Sequence, residues 1–497
     1  MEVVDSLALL SLKVAPNVFD LSSGMNHVSI RDQIVRAQLV VRDLKRADPG
    51  LQSLLIIGAG IAGIFAALAA ADLDISTVVV VDVADQPFSL LRGVTQRHVG
   101  PFMYEWPSPF FNDQSYPAHS HTPWSISSPS PLCWSSAQPC SADDFATKLT
   151  QELDSRLNTG YKRDPEIYLS VPKAAIQSFV RTFARIEAIA ARNRLRNRGR
   201  GPRAVFDQTG CLDYKSRSSG SIRISPQYVL LASGMGREDC ELVKTDDSGS
   251  LYTGPNFTGQ HFWDNDHLLN GPTANKTIYI FGGGDGAMQD ALRALTGYEH
   301  PLRFLQDLQQ DPHTQSIIDG LSAQLLALDR QGRQYATWTR GAEAYEALDA
   351  GCKKLAEQLA SDPHIQREVV GALRQGAGSV SLFVREGHFG KAYLLNRFLI
   401  YLIDTCCRRL MFGQQNRMTL SLHFSHQPVG YEHSGIHEVS IQNLTTGRVD
   451  LHFPDEIVVR YGIERHTAPG AQMIQVSDRP SRQRTTLARV ELPFVAG

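Results

Sequence analysis

The sequence predicts an α/β chain with two doubly wound units and a helical insertion. An apolar strand, a glycine turn and a helix occur twice, at residues 51–83 and again from residue 277, in the order a parallel βαβ unit requires. Size agrees, since 497 residues exceed one compact core at a prior of roughly 150 residues per domain.

Composition narrows the function classes. With 42% hydrophobic residues, 20% charged residues and a formal net charge of -2, the chain lacks the basic excess that binding a phosphate backbone favours, so nucleic acid is excluded as a main partner. The seven cysteines are scattered and include no C-x-x-C pair or zinc-like Cys/His spacing, which indicates reduced thiols in a cytoplasmic protein with neither a dithiol centre nor a metal. Glu2 and Asp5 precede the first short apolar run, unlike a secretory signal. The apolar stretch 54–71 has the hydropathy of a membrane span, but its glycines fit a strand, turn and buried helix, so no membrane partner is expected.

Along the chain, residues 1–50 form a helical lead-in, with helical spacing of apolar positions over 28–47. Residues 51–270 form a first Rossmann-like domain, interrupted at 92–140 by a loop rich in Pro, Ser, His and aromatic residues. Tyr104, Trp106, Phe110, Phe111 and Trp124 are too many large apolar groups for a solvated linker. Ser141, followed by Asp143 and Asp144, marks a helix start. Residues 271–465 form a second such domain, with 300–375 as a helical insertion before the strand at 380–384. Residues 466–497 form a polar tail that returns to the first domain.

The glycine turns carry the chemistry. A dinucleotide pyrophosphate lies almost against the backbone, so the corner needs positions without side chains and a helix N-terminus that offers amides. Gly58, Gly60 and Gly63 fill those positions in the first turn. Asp82 stands about 20 residues further on, where a carboxylate accepts from a ribose hydroxyl. In the second turn Gly282 and Gly284 match the first two glycines and Ala287 takes the third, helix-packing position. Asp285 either binds ligand or stabilises the turn. Arg385, at the end of the following strand, suits a 2′-phosphate and hence NADPH.

Two such turns, a strand ending Ala232, Ser233, Gly234 and a looser version ending Arg460, Tyr461, Gly462 resemble the flavoproteins with two dinucleotide-binding domains. That group includes disulfide reductases, flavin monooxygenases and amine N-hydroxylases. The resemblance implies FAD on Gly58, Gly60, Gly63 and Asp82, and NAD(P)H on Gly282, Gly284 and Ala287; Ser233, Gly234 and Arg385 are further candidate cofactor-binding residues. It further implies an oxidoreductase acting on a small molecule, with monooxygenation or amine oxidation favoured because paired redox cysteines are missing. Where the family has paired glycines after the acid, this chain has Gln86, Pro87, Phe88, Ser89, Leu90 and Leu91. Arg97, with Arg92 and His98, is a candidate for neutralising phosphate charge. His98 and Glu105 are the candidate proton-transfer groups of the aromatic loop. Two alternatives stay open: a nicotinamide-only dehydrogenase without flavin, and a non-catalytic dinucleotide-binding sensor.

Overall fold

The structure is a computed structural model that describes residues 12–21, 29–100, 106–107, 131–132, 138–159, 163–194, 203–244, 252–338, 342–390, 392–410 and 416–464. Glu105, Tyr104, Phe110, Phe111, Trp124 and the 466–497 tail lie outside the described residues, so the expectations placed on them stand untested.

The first sheet is built from β1 (Lys13–Ala15), β2 (Val18–Asp20), β3 (Ser53–Ile57), β4 (Thr77–Val81), β7 (Glu166–Leu169), β8 (Phe206–Asp213), β9 (Ser218–Ile224) and β10 (Tyr228–Leu231), in the order β1-β2-β10-β3-β4-β7-β8-β9. Its five central strands, β2 to β7 in that order, run parallel. Near-continuous runs such as Thr-Val-Val-Val-Val in β4 are what a parallel strand covered on both faces requires. The lead-in is only partly helical: α1 (Ile30–Ala47) covers one face, but Val18–Asp20 adds a parallel strand beside β10. Three residues give too short a pattern to register as a strand by periodicity.

Helix α2 (Ile61–Asp72) follows β3, and every residue from Gly63 to Ala70 is buried, which explains why its hydropathy imitates a membrane span. No helix among the described residues is long and apolar enough to cross a membrane. The short strands β5 (His98–Val99) and β6 (Cys140–Ser141) pair antiparallel ahead of α3 (Ala142–Asn158). Ser141 caps α3, its hydroxyl accepting from the Asp144 amide at 3.0 Å, with Asp143 and Asp144 in the positive first turn. Helix α4 (Lys173–Arg194) covers the opposite face.

The second sheet is wholly parallel. Its strands β12 (Thr277–Phe281), β13 (Ser379–Val384), β14 (Thr419–Phe424) and β18 (Glu456–Val459) lie in the order β14-β13-β12-β18. Helix α5 (Asp285–Thr296) leaves β12, and the insertion follows as α6 (Pro301–Leu308), α7 (Pro312–Trp338), α8 (Ala342–Leu359) and α9 (Pro363–Gly371) before β13. These helices share one core with α10 (Leu394–Leu410), which is buried from Leu394 through Cys407. Burial pushes the Cys406 and Cys407 thiols up to about 12, so they are packing groups and not reactive thiols. A meander of β15 (His426–His433), β16 (His437–Asn443) and β17 (Val449–His452) leads into β18. Finally β11 (Arg237–Glu238), just after the first sheet, pairs antiparallel with β19 (Ile463–Glu464), just after the second.

Candidate functional site

In an open α/β sheet, ligands bind beyond the carboxyl ends of the strands at the point where strand order reverses. In the first sheet that point lies between β3 and β10, in the second between β12 and β18. The two corners share one backbone pattern. Gly58 donates to Val81 O at 2.8 Å and Ala232 to Ile57 O at 2.7 Å; Gly282 donates to Phe383 O at 2.9 Å and Arg460 to Phe281 O at 2.8 Å.

The three glycines of the first turn have three different reasons to be glycine. Gly58 has φ +115°, and a Cβ there would stand 2.4 Å from Ala232 O. A Cβ on Gly63 would stand 1.7 Å from Gly58 O, so the helix packs directly on the turn. Gly60 caps α2 at φ -76°, ψ -169°, which any residue adopts, and a Cβ there meets nothing within 4 Å. Neither strain nor protein contact demands glycine at Gly60.

The opposite wall is Ser233 and Gly234. Gly234 has φ +96° and open space where a side chain would be. The Ser233 hydroxyl is buried without a hydrogen-bond partner, the kind of polar atom a ligand satisfies. Asp82 accepts from the Ala59 amide of the turn and, at 2.8 Å, from the Ala84 amide, so it holds the corner as well as facing it. The missing paired glycines are replaced by a left-handed Phe88, φ +58°, whose amide donates to Ala59 O at 3.0 Å while its ring is buried.

The second corner is more heavily lined. Gly282, φ +140°, lies against Arg460, whose carbonyl would be 2.2 Å from a Cβ. Ala287 is fully buried at the position matching Gly63, and Gly284 caps α5 in extended conformation. Gly283 accepts from the Gly390 amide at 3.1 Å, so the loop after β13 folds over the turn. Asp285 accepts from the Tyr393 amide and the Asn396 side chain, both at 2.8 Å, which gives it a turn-stabilising role. The insertion secures this loop: Asp349 on α8 pairs with Arg397, which also donates to the Phe389 and Gly390 carbonyls. Arg385 is exposed at the end of β13, and its charge reaches the Tyr461 phenol beyond β18. Burial pushes that phenol above its ordinary range against the arginine's influence.

Two candidates stand among charged groups of the protein. Arg97 is one of them. Its guanidinium is buried and ion-paired with Asp290 and, at 2.8 Å, with Asp266, and it lies 4.6 Å above the Phe262 ring. His98 has its ring within electrostatic reach of Asp144, Arg293, Glu299 and Arg303, and burial lowers its pKa. Trp106 is buried against Phe398 of α10, ring centroids 5.5 Å apart, so this part of the aromatic loop plugs the second core. The arginine network that ties the units together was missed by motif reading, because Arg97, Asp266, Asp290, Arg293 and Arg460 share no spacing.

No family model and no curated protein matches the chain. Among solved structures it is similar to an FAD-bound cadaverine monooxygenase from Erwinia amylovora, at 10% identity over 86% of this chain and 82% of that one, TM-score 0.36. An L-lysine 6-monooxygenase from Pseudomonas syringae is 13% identical over 83% and 81%, TM-score 0.33. A Lactococcus lactis thioredoxin reductase is 12% identical over 83% and 77%, TM-score 0.31. At these TM-scores the two-crevice architecture rests on the chain's own strand order and backbone hydrogen bonds.

Proposed function

We propose that this chain is an oxidoreductase that holds FAD in the first crevice and receives NAD(P)H in the second, acting on a small molecule. The carrying observation is that the loops leaving both crevices end in one ribbon, Arg237 opposite Glu464 and Glu238 opposite Ile463. From Gly234 to Arg237 and from Glu464 back to Gly462 the chain spans few residues, so the two crevice walls stand no more than about 23 Å apart. That short separation supports a shared space for two nucleotides extending from their own turns.

The residues of the first crevice fit the group. Gly60 and Gly234 leave backbone bare, the α2 N-terminus offers amides and positive potential to a diphosphate, Asp82 offers carboxylate to a ribose, and Ser233 offers an unsatisfied hydroxyl. In the second, Gly282 and Gly284 would hold the nicotinamide nucleotide and Arg385 its 2′-phosphate. Flavin, when bound, supplies the electron transfer; the protein's share is binding, orientation and exclusion of water. The buried, high-pKa thiols of α10 favour monooxygenation or amine oxidation over disulfide reduction.

The visible absorption spectrum of the purified chain tests this. A flavin spectrum, with FAD released on denaturation, supports the reading. A chain that stays colourless after incubation with FAD contradicts it. If that colourless chain oxidises or reduces nicotinamide nucleotide with a substrate, it is a dehydrogenase; if it binds nucleotide without turnover, it is a sensor.

A further inference from the structure

We propose that Glu238, Cys240 and His261 form a binding site for one divalent transition metal of zinc's class, in the ribbon that joins the two units. One ligand atom from each lies within 4.8 Å of the other two. Cys240 Sγ is 3.6 Å from His261 Nδ1, and that nitrogen is 3.8 Å from a Glu238 carboxylate oxygen. Thiolate and imidazole bound to one tetrahedral zinc, at about 2.3 and 2.0 Å, stand about 3.5 Å apart, so the pair already has that separation.

Sequence spacing hides this site. Glu238 and Cys240 are two apart along an extended segment, which turns both side chains to one face. His261 arrives from residues further on because Glu241 bridges to Thr258 and the Gly259 amide donates to Cys240 O at 2.9 Å. The expectation of no metal rested on the lack of a Cys/His motif, and a proximity made by the fold lies outside what such a motif can register.

The donor set suits a borderline-soft cation. Thiolate and imidazole select against calcium and magnesium, and thiolate with carboxylate balances a charge of +2. Arg460 and Arg237 act on the Cys240 thiol as opposing charges, and the Arg460 guanidinium is already held by Asp290 at 2.9 Å. Cys240 is buried and the His261 side chain is 52% exposed, so an ion has both a fixed sulfur anchor and a route in. Three protein ligands leave one tetrahedral position for water. Bound there, the metal fastens the ribbon from the first crevice to the loop carrying Phe262, the ring beneath Arg97 and Arg460.

Cobalt(II) is the probe, titrated into the full, chelator-treated chain. The proposal expects one equivalent bound with tetrahedral ligand-field bands and a thiolate-to-cobalt charge-transfer band, both erased by added zinc. C240S loses the charge-transfer band. H261A, which changes a half-exposed side chain and leaves the fold intact, weakens binding more than about a hundredfold, since even losing an outer partner of a ligand costs up to about that much. Only octahedral cobalt signals, a charge-transfer band that survives C240S, or equal affinity in H261A overturns the proposal. None of these readouts depends on the nucleotide crevices.

Discussion

Arg97, from the loop beyond the first crevice, is ion-paired with Asp290 on α5 of the second unit, and both side chains are closed to solvent. Asp290 also receives Arg460 at 2.9 Å and Arg293 at 3.1 Å, and Asp266 takes up Arg97 and Arg293 at 2.8 and 2.7 Å. Three guanidiniums and two carboxylates thus bind the loop, helix α5 and the end of β18 together, beside the second glycine turn.

Removing one partner from such a cluster strands charge in a low dielectric. D290A, which leaves three guanidiniums short of their shared acceptor, is expected to cost at least about 3–5 kcal/mol. R97A leaves Asp290 with two arginines and Asp266 with one, so it costs less. Urea unfolding of both variants checks the order; equal or negligible losses would contradict the geometry.

The same group sets an acid limit. Burial alone would raise the Asp290 pKa, but Arg97, Arg460 and Arg293 outweigh it and hold the carboxyl well below the carboxylate range. Its folded pKa is depressed, so its contribution is complete above the unfolded value of about 3.9 and is lost as pH falls through the folded one. Thermal melts from pH 5 downward should show a loss that D290N does not share.

His300 acts at milder pH. It caps α6 through Nδ1, accepting from the Leu302 amide at 3.2 Å, and its ring fills the space a side chain on Gly100 would need. Burial, with help from His98, Arg293 and Arg303, lowers its pKa to about 3. Between about 6.5 and 3 the unfolded chain binds a proton the native one refuses, so stability falls by up to about 1.4 kcal/mol per pH unit. H300N, which keeps a capping side chain, should flatten that slope in melts across the range.

Much of the fold was legible because its determinants are local. Gly63 answers to the Gly58 carbonyl within the same turn, and Ser141 with Asp143 and Asp144 starts a helix by itself; Gly58 and Gly282 are readable from their spacing, although the carbonyls that crowd them, of Ala232 and Arg460, come from strands far along the chain. Tertiary proximity was not legible. Arg97 follows an acid-ended strand, as a phosphate ligand would, yet pairs with residues nearly two hundred positions away. Val18–Asp20 has no strand pattern of its own and becomes one only against β10.

The glycines of the first turn separate fold from ligand. G63A must displace the Gly58 carbonyl and should lower Tm sharply or prevent folding. G60A meets no protein atom and should keep Tm within a few degrees while losing cofactor. Differential scanning fluorimetry beside bound-nucleotide analysis distinguishes them; a G60A chain with undiminished cofactor would show that no ligand approaches there.

Arg385 should decide between the two nicotinamide nucleotides. Charge-assisted hydrogen bonds contribute about 1.5–3 kcal/mol, so R385A is expected to lose about tenfold to a hundredfold in kcat/KM for NADPH and little for NADH. Its exposed position predicts unchanged thermal stability. Parallel losses for both nucleotides would remove it from the 2′-phosphate role.

Anaerobic addition of NAD(P)H to the FAD-loaded chain, followed at the flavin's visible band, tests the central claim most directly. Transfer between two crevices joined by one ribbon predicts rapid bleaching of the oxidised flavin band, with colour restored on admitting oxygen. A flavin that stays oxidised under excess NADH and NADPH alike would contradict the pairing of the two sites.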